Sequence, residues 1–402
     1  MTEYLLNLFD AATQHDPYPS YQEMRDLGSV LWNPLMSAWM VWRYDDVMEI
    51  LRDPGTFSSA AMRERARQQA ALRGETYVDN FGAPVMLNSD PPDHERYRNV
   101  VARAFTPRAV AAQEPALRRL ARDLLEPLEE TGACEVVATL SSPLPILAIA
   151  TMLGVQHRDV EAFRRWSDDF VTVGDFPTEE EQRRSREASS ALRSYFEEEI
   201  SRRSERSEDS DDLLSRLVEA NEGGVLSDAE LLASCVLLLV AGNETTTNLI
   251  TNMTLQLDRH PEQRDRLEED PSLIPGAVEE TLRFDGPVHW TFRSANRDVE
   301  VSGQPVRAGD MILVLVAAAN RDPARFADPD TFDITRGATH HFGFGHGIHF
   351  CLGATLARLE AKVAFEALLR AAPSYRVARD GAPLQYTRSN LRSPRSLTIE
   401  RQ

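Results

Sequence analysis

Apolar residues recur at intervals of three and four along most of the 402-residue chain, in stretches rich in Ala, Leu, Arg and Glu. This spacing predicts amphipathic α-helices. Strict alternation, which is typical of strands, is confined to a few segments such as residues 37–44 and 297–319, where glycines stand at the turns. The pattern predicts a mainly α-helical protein with a minor β portion.

The longest predicted helix carries the clearest boundary signals. It opens with Ser227-x-x-Glu230, a capping box, and stays periodic to about His260. With about thirty residues and a rise of 1.5 Å per residue, it is roughly 45 Å long. Such a helix is long enough to cross the whole molecule.

Three other segments predict helices. Residues 177–212 are heavily charged, which indicates a solvated helix followed by a polar loop. A second helix starts at Pro275, a favoured first-turn residue, and stops before Gly286. A third begins at Cys351. Its apolar face consists of Leu352, Leu356, Leu359 and Val363.

Charge and cysteine content narrow the class of protein. The formal charge of −19 argues against non-specific nucleic-acid binding. Cys134, Cys235 and Cys351 are odd in number and far apart, so no disulfide framework is indicated. The N-terminal segment lacks the features of a signal peptide, and the most apolar segment, residues 231–242, is too short to cross a bilayer. We therefore expect a soluble, cytoplasmic protein without a membrane partner.

Four histidines and four glycines surround Cys351 in the segment HHFGFGHGIHFCLG, residues 340–353. The cysteine could be a small buried hydrophobe, a zinc ligand with His346 and His349, or a nucleophile. Its neighbours favour a fourth role. The N-terminus of the following helix would lower the pKa of the thiol.

The glycines of this segment would let a flat cofactor lie close to the cysteine. Gly345, Gly347 and Gly353 remove side chains on both sides of Cys351. Backbone N–H groups could then approach the sulfur, and Phe344 could cover the loop from the opposite side.

The stretch FGHGIHFCLG, residues 344–353, resembles the F-x-x-G-x-x-x-C-x-G signature of the cytochromes P450, the haem-thiolate monooxygenases. The resemblance implies one domain over residues 1–402 and Cys351 as the axial ligand of haem b iron. It also places Phe344, Gly345 and Gly353 around the haem, and His349 near a haem propionate.

A second matching motif lies at the centre of the longest helix. The stretch AGNETTTN, residues 241–248, interrupts an apolar segment with residues of low helix propensity. A purely structural explanation of these residues is that the threonine hydroxyls bond to carbonyls four residues earlier and bend the helix. By resemblance, Ala241 and Gly242 line the haem, Thr245 hydrogen-bonds during dioxygen activation, and Glu244 relays protons.

Two further elements agree with the family in order and position. Glu280-x-x-Arg283 stands about seventy residues before Cys351 and would join Arg336 in a structural role. His94 and Arg98 stand at i and i+4 in a segment that resembles the family's D-P-P-x-H-x-x-x-R element. By that resemblance His94, Arg98 and Arg293 contact the haem propionates.

The resemblance also implies the partners. Dioxygen is activated, and electrons come from a separate ferredoxin and an NAD(P)H-dependent ferredoxin reductase. Arg358 and Lys362 could form a basic docking site for that carrier, although they could equally be ordinary solvated charges. Two other classes stay open, which are a haem-binding protein without turnover and a zinc-dependent Cys/His hydrolase.

The substrate is expected to be a lipophilic small molecule, by default a natural product. His289 and Trp290 could orient an aromatic or oxygenated substrate, or could pack away from it. The pocket residues implied by resemblance are Leu87, Val171, Val288, His289, Trp290, Thr291, Asn390 and Leu391.

Overall fold

The computed structural model describes residues 7–8, 10–61, 63–64, 81–155, 160–171, 178–205, 212–337, 340–379, 381, 383–387 and 390–402. Most of this part of the chain is helical. The α-helices are α1 (Ala11–His15), α2 (Tyr18–Leu27), α3 (Tyr44–Arg52), α4 (Asp93–Val101), α5 (Pro107–Ala111), α6 (Glu114–Leu124), α7 (Glu126–Thr131), α8 (Pro143–Leu153), α9 (Val160–Val171), α10 (Glu179–Glu205), α11 (Leu213–Glu222), α12 (Asp228–Arg259), α13 (Pro261–Glu269), α14 (Ile274–Phe284), α15 (Val316–Ala319) and α16 (Ala354–Ala371).

The β portion is small, as predicted. The strands are β1 (Val30–Asn33), β2 (Ala38–Val41), β3 (Phe57–Ser58), β4 (Ala133–Glu135), β5 (Thr291–Ala295), β6 (Val299–Val301), β7 (Gln304–Val306), β8 (Met311–Val314), β9 (Arg376–Val377) and β10 (Thr398–Glu400). They form a five-stranded sheet in the order β1-β2-β8-β5-β3, a three-stranded sheet β4-β10-β9, and the hairpin β6-β7. The pair β2 and β8 is parallel, whereas the other pairs of the large sheet are antiparallel.

The central helix α12 organises the helical part. Its capping box is present, since Ser227 Oγ accepts from the Glu230 amide and the Glu230 carboxylate accepts from the Ser227 amide. It packs against α8, α9, α10, α14 and α16. It has 32 residues and, by length and composition alone, is long and apolar enough to cross a membrane. However, 67% of its most apolar window is buried inside the protein, as is typical of a core helix.

Two other helix predictions need small corrections. The helix predicted from Pro275 begins at Ile274 and ends at Phe284. The helix predicted from Cys351 begins only at Ala354, with Gly353 as its N-cap residue, so Leu352 lies outside it. The charged helix α10 is solvated on one face, while residues such as Leu192 and Phe196 on its other face are fully buried.

Candidate active site

The Cys351 loop is fixed by its own backbone. The Cys351 amide donates to the Phe344 carbonyl at 2.9 Å, and the Gly345 amide donates to the Phe342 carbonyl at 2.8 Å. Gly347 has a φ of +69°, and a Cβ there would lie 2.3 Å from the Leu51 carbonyl oxygen. Only glycine fits this position, because the loop packs directly on the backbone at the end of α3.

Phe344 covers the loop from within the core, as the sequence suggested. Its ring is 9% exposed, and the Arg358 guanidinium lies 4.4 Å from the ring centroid. A Cβ on Gly353, two residues after the cysteine, would meet no atom within 4 Å. The loop is therefore packed at Phe344 and has free space at Gly353.

The pKa of the Cys351 thiol differs from the sequence-based expectation. Burial raises it above its ordinary value, while a hydrogen bond from the Gly353 amide and the charges of Arg98 and Arg358 act in the opposite direction. The predicted lowering from the start of the following helix is present as the Gly353 hydrogen bond, and burial is the larger effect.

Four residues predicted from separate parts of the chain meet beside this loop. The rings of His94 and His349 lie edge to face, with centroids 4.5 Å apart. Arg293 and Arg98 lie close enough to His349 for their positive charges to lower its pKa. Arg293 is 7% exposed, and Arg98 donates to the Phe350 carbonyl at 2.9 Å. The cluster thus adjoins the backbone immediately before Cys351.

This cluster could hold an anion. Among the residues that the structure describes, neither ring nitrogen of His94 has a hydrogen-bond partner, nor does Nε2 of His349. Burial, followed by the charges of Arg293, His94 and Arg98, lowers the pKa of His349 to about 3. Burial also lowers the pKa of Arg293 to about 10. A carboxylate would accept hydrogen bonds from the buried donors and would balance the neighbouring positive charges.

The middle of α12 is exposed at one position. Ala241 is exposed, although Val240 and Asn243 beside it are buried. The Thr245 hydroxyl donates to the Ala241 carbonyl at 3.0 Å, which is the carbonyl bonding that the sequence left open. Thr245 and Glu244 are both half-buried. Gly242 packs close to Ile149, since a Cβ there would lie 3.7 Å from that side chain.

Glu280, Arg283 and Arg336 form one buried ionic cluster. Arg283 donates to both carboxylate oxygens of Glu280, at 2.7 and 2.8 Å, and the two side chains are 0% and 2% exposed. Arg336 Nε donates to the same carboxylate at 3.2 Å. Arg283 also donates to the carbonyls of Asn320, Pro329 and Thr331. The cluster joins α14 to the segment that leads into the Cys351 loop.

The expected substrate residues separate into two groups. Val288 and Leu391 form an antiparallel bridge and are both half-buried, as are Thr291 and Asn390. Leu87 is 58% exposed. The side chain of Val171 lies outside the described residues.

His289 and Trp290 do not match the expectation that they contact substrate. His289 is 0% exposed, and its Nδ1 lies 3.3 Å from the Tyr21 hydroxyl. Its Nε2 lies 4.0 Å from Asp285. Trp290 is 6% exposed and packs in the cluster that contains Tyr21. The buried ion pair of Asp285 with Arg392 lies beside His289.

Glu360 was missed by the sequence reasoning. It is 1% exposed on α16 and hydrogen-bonds with Thr246, the neighbour of Thr245. A signal was available, because position 360 falls four residues after Leu356 and three before Val363 on the predicted apolar face. A carboxyl group on that face had to be buried.

The zinc alternative gains no support from the described part of the chain. No group of three or more His, Cys, Asp or Glu side chains there is placed to hold a metal ion. His346 and His349 therefore do not join Cys351 in a closed zinc site of the usual kind.

Comparison with known proteins agrees with this fold. The profile of the family described as Cytochrome P450 matches residues 4–372. The chain is 41% identical to cytochrome P450 107B1 of Saccharopolyspora erythraea over 94% of this chain and 93% of that protein. It is 39% identical to the vitamin D(3) 25-hydroxylase of Pseudonocardia autotrophica, over 96% and 93% of the two chains.

A solved structure gives the same result. The crystal structure of CYP109E1 from Bacillus megaterium in complex with testosterone matches with a TM-score of 0.88 and 34% identity, over 98% of this chain and all of that one. The chain belongs to the cytochrome P450 family. It is an enzyme of the oxidoreductase class, as its relatives named hydroxylases and monooxygenases are, and the family resemblance and fold predicted from the sequence are confirmed.

Proposed function

We propose that this enzyme is a monooxygenase whose haem iron is bound by Cys351. The observation that carries the proposal is the set of unpartnered, buried ring nitrogens on His94 and His349, beside two arginines and next to the cysteine loop. The family implies a haem cofactor. The residues present fit one, since His94, Arg98, Arg293 and His349 offer donors to the two propionates and the open side of Gly353 leaves room for the ring.

The haem is proposed to be haem b, held without covalent bonds. Covalent attachment of the c type uses a C-x-x-C-H motif. The three cysteines of this chain are at positions 134, 235 and 351, so they cannot form one. Phe344 and Gly345 support the loop on its core side, while Ala241 and Gly242 lie on the opposite helix.

When bound, the haem would supply reductive activation of dioxygen. The chain's own part is to control protons and water. The Thr245 hydroxyl, 3.0 Å from the carbonyl of the exposed Ala241, can donate or accept a proton there. The half-buried Glu244, one residue earlier, can exchange protons between solvent and that position.

The substrate is proposed to be a lipophilic small molecule of natural-product type. Two similar proteins are named for such molecules, one for hydroxylation of vitamin D(3) and one for its complex with testosterone. In this chain the half-buried Val288 and Leu391, bridged to each other, are the candidates for substrate contact. The proposed pocket keeps Thr291, Asn390 and Leu87. It excludes His289 and Trp290, because both are buried in the core.

Electrons are proposed to come from a ferredoxin and its NAD(P)H-dependent reductase, in the cytoplasm. Phe350, adjacent to Cys351, is 41% exposed and marks where the loop reaches the surface. The expected basic dock is weakened, because Arg358 pairs with Glu279 at 2.6 Å and Lys362 lies 3.5 Å from Glu114. An electron carrier that needs free positive charges on Arg358 and Lys362 is therefore disfavoured.

Turnover under labelled dioxygen tests the proposal. Haem-loaded protein, a ferredoxin, its reductase and NADPH are incubated with a panel of steroids and macrolides. Products that carry one labelled oxygen atom, formed only when all components are present, are expected. Haem-loaded protein that accepts electrons but consumes no dioxygen with or without substrate would instead favour the haem-binding protein without turnover.

A further inference from the structure

Glu279 on α14 is held by two residues from other elements. Arg358 on α16 donates to both of its carboxylate oxygens, at 2.6 and 2.9 Å. His341, which precedes the cysteine loop, has its Nε2 3.2 Å from the same carboxylate, while its Nδ1 accepts from the Gly343 amide at 3.0 Å. Because Nδ1 is the acceptor, Nε2 carries the ring proton and donates it to Glu279. Three N–H groups thus converge on one carboxylate.

This carboxylate is ionised at neutral pH. Burial acts to raise the pKa of Glu279, but the hydrogen bonds from Arg358 and His341 outweigh burial and lower the pKa to about 2. A bidentate pair between arginine and a carboxylate fixes the orientation of both groups. Glu279 therefore holds the Arg358 guanidinium in place and balances its charge.

The guanidinium that Glu279 holds lies against the Cys351 loop. It stands 4.4 Å from the centroid of the Phe344 ring, and the Phe344 carbonyl accepts from the Cys351 amide at 2.9 Å. Burial raises the pKa of the Cys351 thiol, and the charge of Arg358 is among the smaller effects that lower it. A change in the charge of this ion pair therefore acts on the sulfur of Cys351.

We propose that Glu279 is a positioning residue that sets the reduction potential of the haem, because it holds Arg358 over Phe344 and offsets the charge of Arg358. The inference rests on the proposed function, in which Cys351 binds the haem iron. Reduction adds one electron, and therefore one negative charge, to the haem site. A positive charge nearby favours the reduced state, and a negative charge opposes it. Glu279 thus keeps the potential lower than Arg358 alone would set it.

Charge-neutralising variants of the two partners should shift the potential in opposite directions. Glu279→Gln keeps the shape of the side chain but leaves the charge of Arg358 unbalanced. The ratio of reduced to oxidised haem at a fixed potential should rise about three- to tenfold, or roughly 30 to 60 mV for one electron. Arg358→Gln leaves the carboxylate unbalanced instead, and the ratio should fall by a similar factor. The double variant has no unbalanced charge and should lie within about twofold of the wild type.

Glu366→Gln is the matched control. Glu366 on α16 pairs with Arg118, and their side chains are 22% and 40% exposed, against 28% and 40% for Glu279 and Arg358. Among the described residues, neither member of the control pair is one whose charge shifts the pKa of Cys351. Glu366→Gln should therefore leave the ratio within about twofold of the wild type, and so should Glu279→Asp, which keeps the charge.

Potentiometric titration of the haem-loaded, substrate-free protein, followed at the Soret band, measures the ratio without turnover. Equal shifts in Glu279→Gln and Glu366→Gln would overturn the inference while the haem site stands. Shifts of the same sign in Glu279→Gln and Arg358→Gln, or no shift in either, would do the same. If the wild-type protein takes up no haem after haem supplementation, the proposed function fails, and this inference fails with it.

Discussion

The imidazole of His94, from α4, lies edge to face against the imidazole of His349, from the cysteine loop, with 4.5 Å between the ring centroids. The two residues are far apart in sequence, and each brings a buried nitrogen without a partner among the described residues. This pair connects the helix that carries Arg98 to the loop that carries Cys351. Haem retention should therefore depend on it.

His94→Ala is expected to weaken haem binding, because it removes one of the donors that face the propionates. A hydrogen bond to a charged group contributes about 1.5–3 kcal/mol, which corresponds to roughly a tenfold to hundredfold change in haem affinity. Transfer of haem to an acceptor apoprotein measures the loss. His340→Ala, at an exposed position before the same loop, is the control, and equal haem loss in both variants would contradict the assignment.

Glu280→Gln tests the buried ionic cluster. Arg283 is 0% exposed, so removal of its partner leaves a buried charge uncompensated, at a cost of about 3–5 kcal/mol. Glu161→Gln is a matched control, since Glu161 and Arg164 have the same i, i+3 spacing at 77% and 35% exposure. That pair should contribute at most about 1 kcal/mol. Urea unfolding compares the two, and similar losses would refute the structural role.

Glu360 predicts a pH dependence of stability. Burial raises its pKa to about 8 from the ordinary value of 4.5, and the hydrogen bond with Thr246 acts in the opposite direction. Between pH 4.5 and about 8, Glu360 is protonated in the folded state and ionised in the unfolded state. The contribution of Glu360 is therefore fully present below pH 4.5 and is lost as the pH rises through about 8.

Glu360→Gln mimics the protonated carboxyl group and removes this dependence. The variant should match the wild-type free energy of unfolding near pH 5 and exceed it near pH 9, both approximate values set by the linkage. Urea titrations at the two pH values measure the difference. A difference that does not change with pH would show that Glu360 keeps the same charge in both states.

Thr245→Ala is expected to separate electron use from product formation. Without the hydroxyl, proton delivery loses the roughly hundredfold or greater advantage of a positioned acid. Reducing equivalents should then appear as hydrogen peroxide while haem content stays normal. Thr247→Ala is the control, because its hydroxyl bonds to Asn243 Oδ1 at 3.3 Å and not to the Ala241 carbonyl. Unchanged product per NADPH in Thr245→Ala would remove that residue from the mechanism.

Local signals in the sequence predicted the elements well. The capping box of Ser227 and Glu230 fixed the start of α12, and the glycines marked the cysteine loop. Local signals could not predict which side chains are buried by distant partners. The buried His289 lies beside Asp285, which pairs with Arg392, 107 residues away, and accepts a hydrogen bond from Tyr18, 267 residues away.

The pKa of Cys351 shows the same limit. The sequence indicated a helix N-terminus, which lowers the pKa of a thiol. It did not indicate how deeply the loop would be buried, and burial acts in the opposite direction. The charges that oppose burial come from Arg98 and Arg358, which approach the cysteine only in the folded chain.

The central claim is that Cys351 binds haem iron as a thiolate, and the absorption spectrum of the reduced protein under carbon monoxide tests it most directly. The account predicts a strongly red-shifted Soret band, which requires a thiolate opposite the gas, and loss of that band in Cys351→His with haem still bound. A wild-type band typical of haem with a neutral ligand, in protein that is fully folded and haem-loaded, would contradict it.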